Sequence, residues 1–193
     1  LAILIYRIAL VPAGRGAAFL CTLIYIAVFA FGNYTKITNF NFISPFSHEA
    51  THGIILCLAT LHAWQMAFFR RSPKALALAG FFAGLCFLTR AETTLAALVL
   101  SLTGLVLWTV IRPVSRQTPA ASVILFCLSF VLPLAAWFLY AFSTTGNASL
   151  ALRSTVGSWY ILARSHALEN PFYRNLMGLD ALGANLIIMG MEF

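Results

Sequence analysis

Apolar residues along the chain occur in long unbroken runs rather than in alternation with polar residues. Such runs are typical of transmembrane helices, whereas the strands of a membrane barrel alternate apolar and polar positions over about ten residues. The pattern therefore predicts an all-α chain that forms a polytopic transmembrane helical bundle. The predicted spans, all within one membrane domain over 1–193, are about 1–11 (partial), 17–32, 50–69, 73–89, 93–111, 120–142 and 184–193 (partial).

Local residue signals add three predictions to this pattern. Ser72 can cap the span that starts at Pro73, because proline suits the first turn of a helix and the span then has enough rise to cross. Gly80 and Gly84 have the spacing that lets two helices pack closely. The segment 150–168 mixes basic and aromatic residues, so we expect an interfacial helix there, on the outer face of the membrane.

Composition agrees with this class and excludes a soluble globular domain. Of the 193 residues, 61% are hydrophobic and only 9% are charged, and the mean hydropathy is +0.90. The net charge of +7 comes mostly from short loops, so it indicates membrane topology and not a nucleic-acid partner. We expect a multi-pass protein of a bacterial inner or plasma membrane. The loops at Arg15, Arg70 and Arg112 should face the cytoplasm, and those at Asn39 and Arg90 the outside.

Residues 48–52 spell the H-E-x-x-H signature of zinc proteases. On a helix His48 and His52 share a face, so both could bind a zinc ion whose water Glu49 activates. No other residue stands at the spacing of a third zinc ligand, so no metal site is predicted. A membrane zinc metalloprotease nevertheless stays an alternative, and so does a divalent metal cofactor bound by these histidines in another kind of enzyme.

Two segments on the predicted outer face carry side chains that suit a substrate. Arg90 can bind an anion such as the phosphate of a lipid carrier, with Glu92 orienting it or accepting from a substrate hydroxyl. The alternative is a charged turn that closes a helical hairpin. The loop over 33–49 is rich in aromatic and hydrogen-bonding residues, which suits a sugar but also an aromatic belt at the membrane interface. Its candidate substrate-binding residues are Tyr34, Lys36 and His48.

The order of these pieces resembles the GT-C membrane glycosyltransferases, specifically the protein-mannosyltransferase and aminoarabinose-transferase-like group of glycosyltransferase family 39. The resemblance covers most of residues 1–142, and the stretch AGFFAGLCFLTRAE, residues 79–92, carries most of it. In that group a similar segment ends a span at the outer face. The resemblance implies that its basic residue, here Arg90, lies near the phosphate of the lipid carrier.

The resemblance also implies an activity: inverting transfer of a sugar from a polyprenyl-phosphate donor to a lipid, glycan or protein acceptor outside the membrane. In such enzymes a carboxylate takes the acceptor proton. The principal catalytic aspartate lies in the first outer loop, which we expect upstream of Leu1, so the chain is expected to be an internal fragment. Glu49 matches the place of a second acidic residue, usually aspartate, and is the candidate catalytic residue here.

A transporter or flippase-like membrane protein without bond chemistry is the main alternative to the enzyme. A transporter is expected to have ionisable residues near the bilayer midplane. In this sequence nearly all of them lie at the ends of the predicted spans. The distribution therefore favours an enzyme that works at the membrane interface.

Overall fold

The computed structural model describes residues 1–30, 48–111, 118–157 and 159–160, with single positions at 181, 183, 184, 187 and 191. Every element in these ranges is a helix, so the all-α prediction is confirmed for this part of the chain. The elements are α1 (Ala2–Ile24) with a π-helical continuation (Tyr25–Ala30), α2 (His48–Arg70), α3 (Pro73–Phe87), α4 (Ala91–Ile111), α5 (Pro119–Thr145) and α6 (Ala148–Val156). Leu1–Thr155 form one compact unit and Val156–Phe193 a second, and the packing below concerns the first.

Among the described residues, four helical stretches are long and apolar enough to cross a membrane, which is compatible with a multi-pass membrane protein. These stretches are Ala2–Ala27, Thr51–Arg70, Ala91–Val110 and Pro119–Thr145. The helix α3 is shorter than the predicted span 73–89, because it ends at Phe87 after 15 residues. Its rise is about 22 Å, less than the roughly 30 Å of a bilayer core. The expectation that this segment crosses by its own length is therefore wrong for the helix as observed.

The short helix α3 lies at the centre of the packing, between α2 and α5 and also in contact with α4. A Cβ atom added at Gly80 would collide with the carbonyl oxygen of Phe126, and one at Gly84 with that of Phe130. The predicted close packing at the two glycines is confirmed, and α5 is the partner. Because both contacts advance along α3 and α5 in the same sense, the two helices run parallel.

Aromatic side chains fill the space between α2, α4 and α5. The Trp64 side chain is buried, and its ring stacks on Phe126 with centroids 5.8 Å apart. Phe68 lies 5.7 Å from the rings of both Trp64 and Trp108. A Cβ atom at Gly104 of α4 would collide with the Trp64 indole. Packing of this kind, rather than exclusion of apolar surface from water, holds helices together in a lipid environment.

Local residue chemistry determines where α3 begins, where α5 ends and where α6 begins. Ser72 accepts a hydrogen bond from the amide of Ala75 at 3.4 Å, and Pro73 occupies the first turn, so the predicted cap is confirmed. At the end of α5, Gly146 adopts φ 63°, a left-handed conformation that glycine reaches without strain. The Asn147 side chain then caps α6 by accepting from the amides of Ser149 and Leu150 at 2.9 and 3.2 Å.

The corner at Gly146 turns α6 back toward α5, where Trp137 Nε1 donates to Ser154 Oγ at 3.1 Å. The predicted interfacial helix over 150–168 is represented by α6 alone, which begins at Ala148 and ends at Val156. Residue 158 and residues 161–168 of that prediction lie outside the described residues.

The sequence pattern predicts two spans here, 1–11 and 17–32, with Arg15 in a loop between them. In the structure, α1 runs from Ala2 to Ile24 and leaves helical geometry at Gly14, with φ 79° and ψ 178°. Glycine tolerates a positive φ, so one residue can interrupt the helix without a loop. Two helical segments are therefore present, as predicted, but they meet directly at Gly14 and no loop separates them.

Candidate functional site

Threonine hydroxyls close the turn between α3 and α4. Thr94 Oγ1 is placed to donate to the carbonyl oxygens of Cys86 and Arg90, at 3.0 and 2.7 Å. Thr89 Oγ1 donates to the Cys86 carbonyl at 2.7 Å, and Thr93 Oγ1 donates to the Arg90 carbonyl at 3.1 Å. The same two carbonyl oxygens also accept from backbone amides, that of Cys86 from Thr89 N at 3.0 Å and that of Arg90 from Thr94 N at 3.0 Å. The backbone of Arg90 is consequently held in one position.

The side chain of Arg90 forms an ion pair with Glu92, in which Arg90 Nε lies 3.5 Å from Glu92 Oε2. Arg90 is 41% exposed and Glu92 is 73% exposed. A pair as exposed as this contributes little to stability, about 0–1 kcal/mol. The ion pair restricts the conformations of the Arg90 side chain, and the guanidinium stays accessible to a ligand.

The start of α2 lies beside this turn, and we call this part of the bundle the Arg90 end. A Cβ atom at Gly53 would collide with the side chain of Thr93, and Cys86 Sγ lies 3.6 Å from the Gly53 carbonyl oxygen. Glu49 is four residues before Gly53, so its backbone lies about one helical turn closer to the N-terminus of α2. The absent side chain at Gly53 is what allows α2 to approach the α3–α4 turn this closely.

A groove of about 750 Å³ runs between α3 and α5 on the side of the Arg90 end. Its wall is apolar and aromatic, and it reaches Leu88, two residues before Arg90. The lining residues are Phe81, Leu85, Leu88, Leu132, Pro133, Ala136, Trp137 and Tyr140. Trp137 and Tyr140 are 5.7 Å apart between ring centroids and form its aromatic part. A long apolar chain would fit such a groove.

Comparison with known proteins gives no match: no protein-family profile, no curated protein and no solved structure is similar to this chain. The arrangement of side chains in the bundle is therefore the basis for the function proposed below.

The structure brings two of the predicted site residues, Arg90 and Glu92, into direct contact. Glu49 and His48 begin α2, at the same end of the bundle, but their side chains lie outside the described part of the structure. Tyr34 and Lys36 lie outside the described residues altogether.

The zinc-protease alternative depends on the same region. His52 is exposed on the first turns of α2. Within the described residues, no three side chains of histidine, cysteine, aspartate or glutamate come together as a metal site would require.

No sequence pattern predicts the groove, because its walls come from two helices that are far apart in the sequence. The hydropathy pattern places Trp137 and Tyr140 only within a membrane span, although aromatic residues near the end of a span are a signal for an interfacial position. The parallel packing of α3 and α5 through Gly80 and Gly84 is what places them beside Leu88.

Proposed function

We propose that this chain belongs to a membrane enzyme that transfers a glycosyl group from a polyprenyl-phosphate donor to a lipid, glycan or protein acceptor. The observation that carries the proposal is an accessible arginine, Arg90, that is paired with Glu92 and follows by two residues Leu88 of an apolar groove. A polyprenyl-phosphate sugar has the two matching parts, an anionic phosphate and an apolar chain. The proposal includes the GT-C-like arrangement that the resemblance of residues 79–92 implies, with the Arg90 end on the outer face of the membrane.

In the proposed reaction the acceptor oxygen attacks the anomeric carbon of the sugar from the side opposite to the phosphate, so the configuration inverts. The bond from that carbon to the phosphate oxygen breaks, and its electron pair leaves with the phosphate. The proton of the acceptor hydroxyl passes to a carboxylate, for which Glu49 is the candidate in this chain. Arg90 stabilises the negative charge that grows on the leaving phosphate.

Arginine suits this role better than lysine. Its planar guanidinium can bind two oxygens of one phosphate at once, which fixes the orientation of the leaving group as well as its charge. The apolar residues near Leu88 lower the local dielectric constant, so the interaction is stronger there than in water. The ion pair with Glu92 restricts the guanidinium before the donor binds, which reduces the entropy lost on binding.

The substitution Arg90→Ala in the full-length protein tests this proposal. We expect it to cost roughly 2–4 kcal/mol of transition-state stabilisation, comparable to the loss of one preorganised donor. Arg90→Lys should recover part of the activity, because the charge is kept although the bidentate geometry is lost. Arg71→Ala is the matched control, since it removes an arginine from a turn between helices at the other end of α3. The measurement is sugar transfer from a polyprenyl-phosphate donor per folded molecule.

Near-normal turnover in the Arg90→Ala variant, together with lower thermal stability, would contradict the proposal. Arg90 would then be an anchor of the helical hairpin and not part of a donor site.

A transporter or flippase-like protein is the second candidate, and one observation favours it. In the described residues, His62 Nδ1 and Gln65 Oε1 are buried in α2 without a hydrogen-bond partner. Polar groups deep in a membrane bundle often line a path for an ion or a substrate. A transporter would move the donor across the membrane of reconstituted vesicles without releasing its sugar. Measuring both the cleavage of the sugar–phosphate bond and the leaflet in which the donor lies, in the same vesicles, separates the two candidates.

A further inference from the structure

A cavity of about 360 Å³ lies at the opposite end of α3, where α2 turns into α3 and α1 packs beside them. We call this the Arg70 end. The cavity wall is apolar along Leu4, Met66 and Phe82, and it is basic where Arg70 and Lys74 reach it. A hydrogen bond of 3.0 Å from Gln65 Nε2 to the carbonyl oxygen of Ile8 fastens α1 to α2 next to this cavity. The space is therefore bounded by three helices and is not a gap beside a single one.

Positive charge at the mouth of the cavity has no counter-ion in the part of the chain that the structure describes. Arg70 and Lys74 are exposed, and the ion pair recorded among the described residues is the one between Arg90 and Glu92. The sequence from 53 to 91 contains no aspartate or glutamate. Two neighbouring cations without a carboxylate attract an anionic ligand.

A buried polar atom lies deeper in the same cavity. His62 lines it, and His62 Nδ1 has no hydrogen-bond partner among the described residues. His62 is two turns before Arg70 on α2, a distance of about 12 Å along the helix. A buried nitrogen without a partner costs free energy, and a ligand that offers it a hydrogen-bonding group would remove that cost.

We propose that this cavity binds an anionic membrane lipid, with its phosphate at Arg70 and Lys74 and one acyl chain against Leu4, Met66 and Phe82. An ester carbonyl of the lipid would lie between these parts and meet His62. Free phosphate would leave the apolar wall uncovered, and a neutral lipid would leave the two cations without a partner. The cavity is at the opposite end of α3 from the groove beside Leu88, so this lipid is separate from the proposed sugar donor.

The first experiment measures lipid binding to the full-length protein in a neutral detergent by native mass spectrometry. Dioleoyl phosphatidylglycerol is titrated against dioleoyl phosphatidylcholine, and the anionic lipid should bind more tightly. The double variant R70Q/K74Q should weaken its binding roughly 30-fold, since each basic residue near an anionic lipid contributes about fivefold. The control R15Q/R71Q removes the same charge from exposed positions that do not line the cavity. Equal losses in the two double variants would overturn the proposal, because the attraction would then come from net charge alone.

The second experiment tests the acyl chain. Ala59→Phe fills the cavity and should reduce phosphatidylglycerol binding at least tenfold, whereas Ala136→Phe makes the same change of size in the groove at the Arg90 end and should not. Inorganic phosphate at matched ionic strength should fail to displace the lipid. If phosphate displaced the lipid and Ala59→Phe left binding unchanged, the proposal of a lipid site would be overturned. The cavity would then be a site for small anions. Thermal unfolding shows whether Ala59→Phe folds. If it does not, the binding measured for R70Q/K74Q still tests the proposal.

Discussion

The two ends of α3 place arginine in different surroundings. At the Arg90 end, threonine hydroxyls hold the backbone, and Glu92 lies 3.5 Å from the guanidinium. At the Arg70 end, Arg70 and Lys74 border a cavity and have no carboxylate partner among the described residues. A carboxylate that restricts an arginine lets it act at a defined point, whereas cations without a counter-ion retain an anion. The proposed donor site lies at the first end and the proposed lipid site at the second.

Both ends depend on the same short helix. The helix α3 carries small residues where it meets α5, and it is too short to span a bilayer by its own length. Its two ends carry the turn after Arg70 and the turn after Phe87. A substitution in α3 should therefore affect both ends, whereas a substitution in one turn should affect only that end.

The largest expected effect concerns the direction of the chain in the membrane. In a cysteine-free background, Asn39→Cys should react with a membrane-impermeant maleimide added to intact cells, and Ser115→Cys should not. The reason is that the basic loops at Arg15, Arg70 and Arg112 are expected to face the cytoplasm. Reversed labelling would place the Arg90 end in the cytoplasm and remove the basis for an outer donor site.

The next effect concerns the packing that both ends share. Gly84→Ala should destabilise the protein by about 1–3 kcal/mol, because the added methyl group collides with the Phe130 carbonyl. Gly16→Ala is the control, since a Cβ atom there meets nothing within 4 Å. That substitution should be neutral or stabilising by up to about 1 kcal/mol. Thermal unfolding in detergent measures both, and equal stability of the two variants would show that α3 and α5 are not in contact at Gly84.

A smaller effect should be confined to the Arg90 end. Thr94→Val removes the hydroxyl that bridges Cys86 and Arg90 with little change of shape, and it should lower stability by about 0.5–1.5 kcal/mol. It should also lower sugar transfer while leaving phosphatidylglycerol binding unchanged. Thr109→Val removes an exposed hydroxyl bonded to the carbonyl of Val106 and serves as the control. Loss of lipid binding in Thr94→Val would mean that the two ends are not independent.

The smallest expected effect is that of Glu92→Gln, which makes Arg90 resemble Arg70 by removing its carboxylate partner. Stability should change by less than about 0.5 kcal/mol, because the pair is largely exposed. Sugar transfer should fall a fewfold, since the guanidinium is less restricted before the donor binds. A large loss of stability without a change in turnover would indicate that Glu92 is a structural residue.

Several features followed from the sequence alone, because each depends on local chemistry or on periodicity. The long apolar runs determined an all-helical chain. Ser72 and Pro73 specified the start of α3, since a cap acts within the same few residues. Gly80 and Gly84 indicated a close helix contact, and Arg90 with Glu92 indicated a charged turn. The sequence did not identify the helix that meets the glycines.

Tertiary structure alone decided which surfaces meet. The groove beside Leu88 and the cavity beside His62 each combine residues from separate helices, so no local pattern contains them. The approach of Gly53 to Thr93 places the start of α2 at the Arg90 end, although 40 positions separate the two residues in the sequence. The interruption of α1 at Gly14 and the end of α3 at Phe87 depend on backbone geometry that a hydropathy pattern does not record. Helix formation is local, whereas the choice of packing partner depends on the complementary shapes of side chains that are distant in the chain.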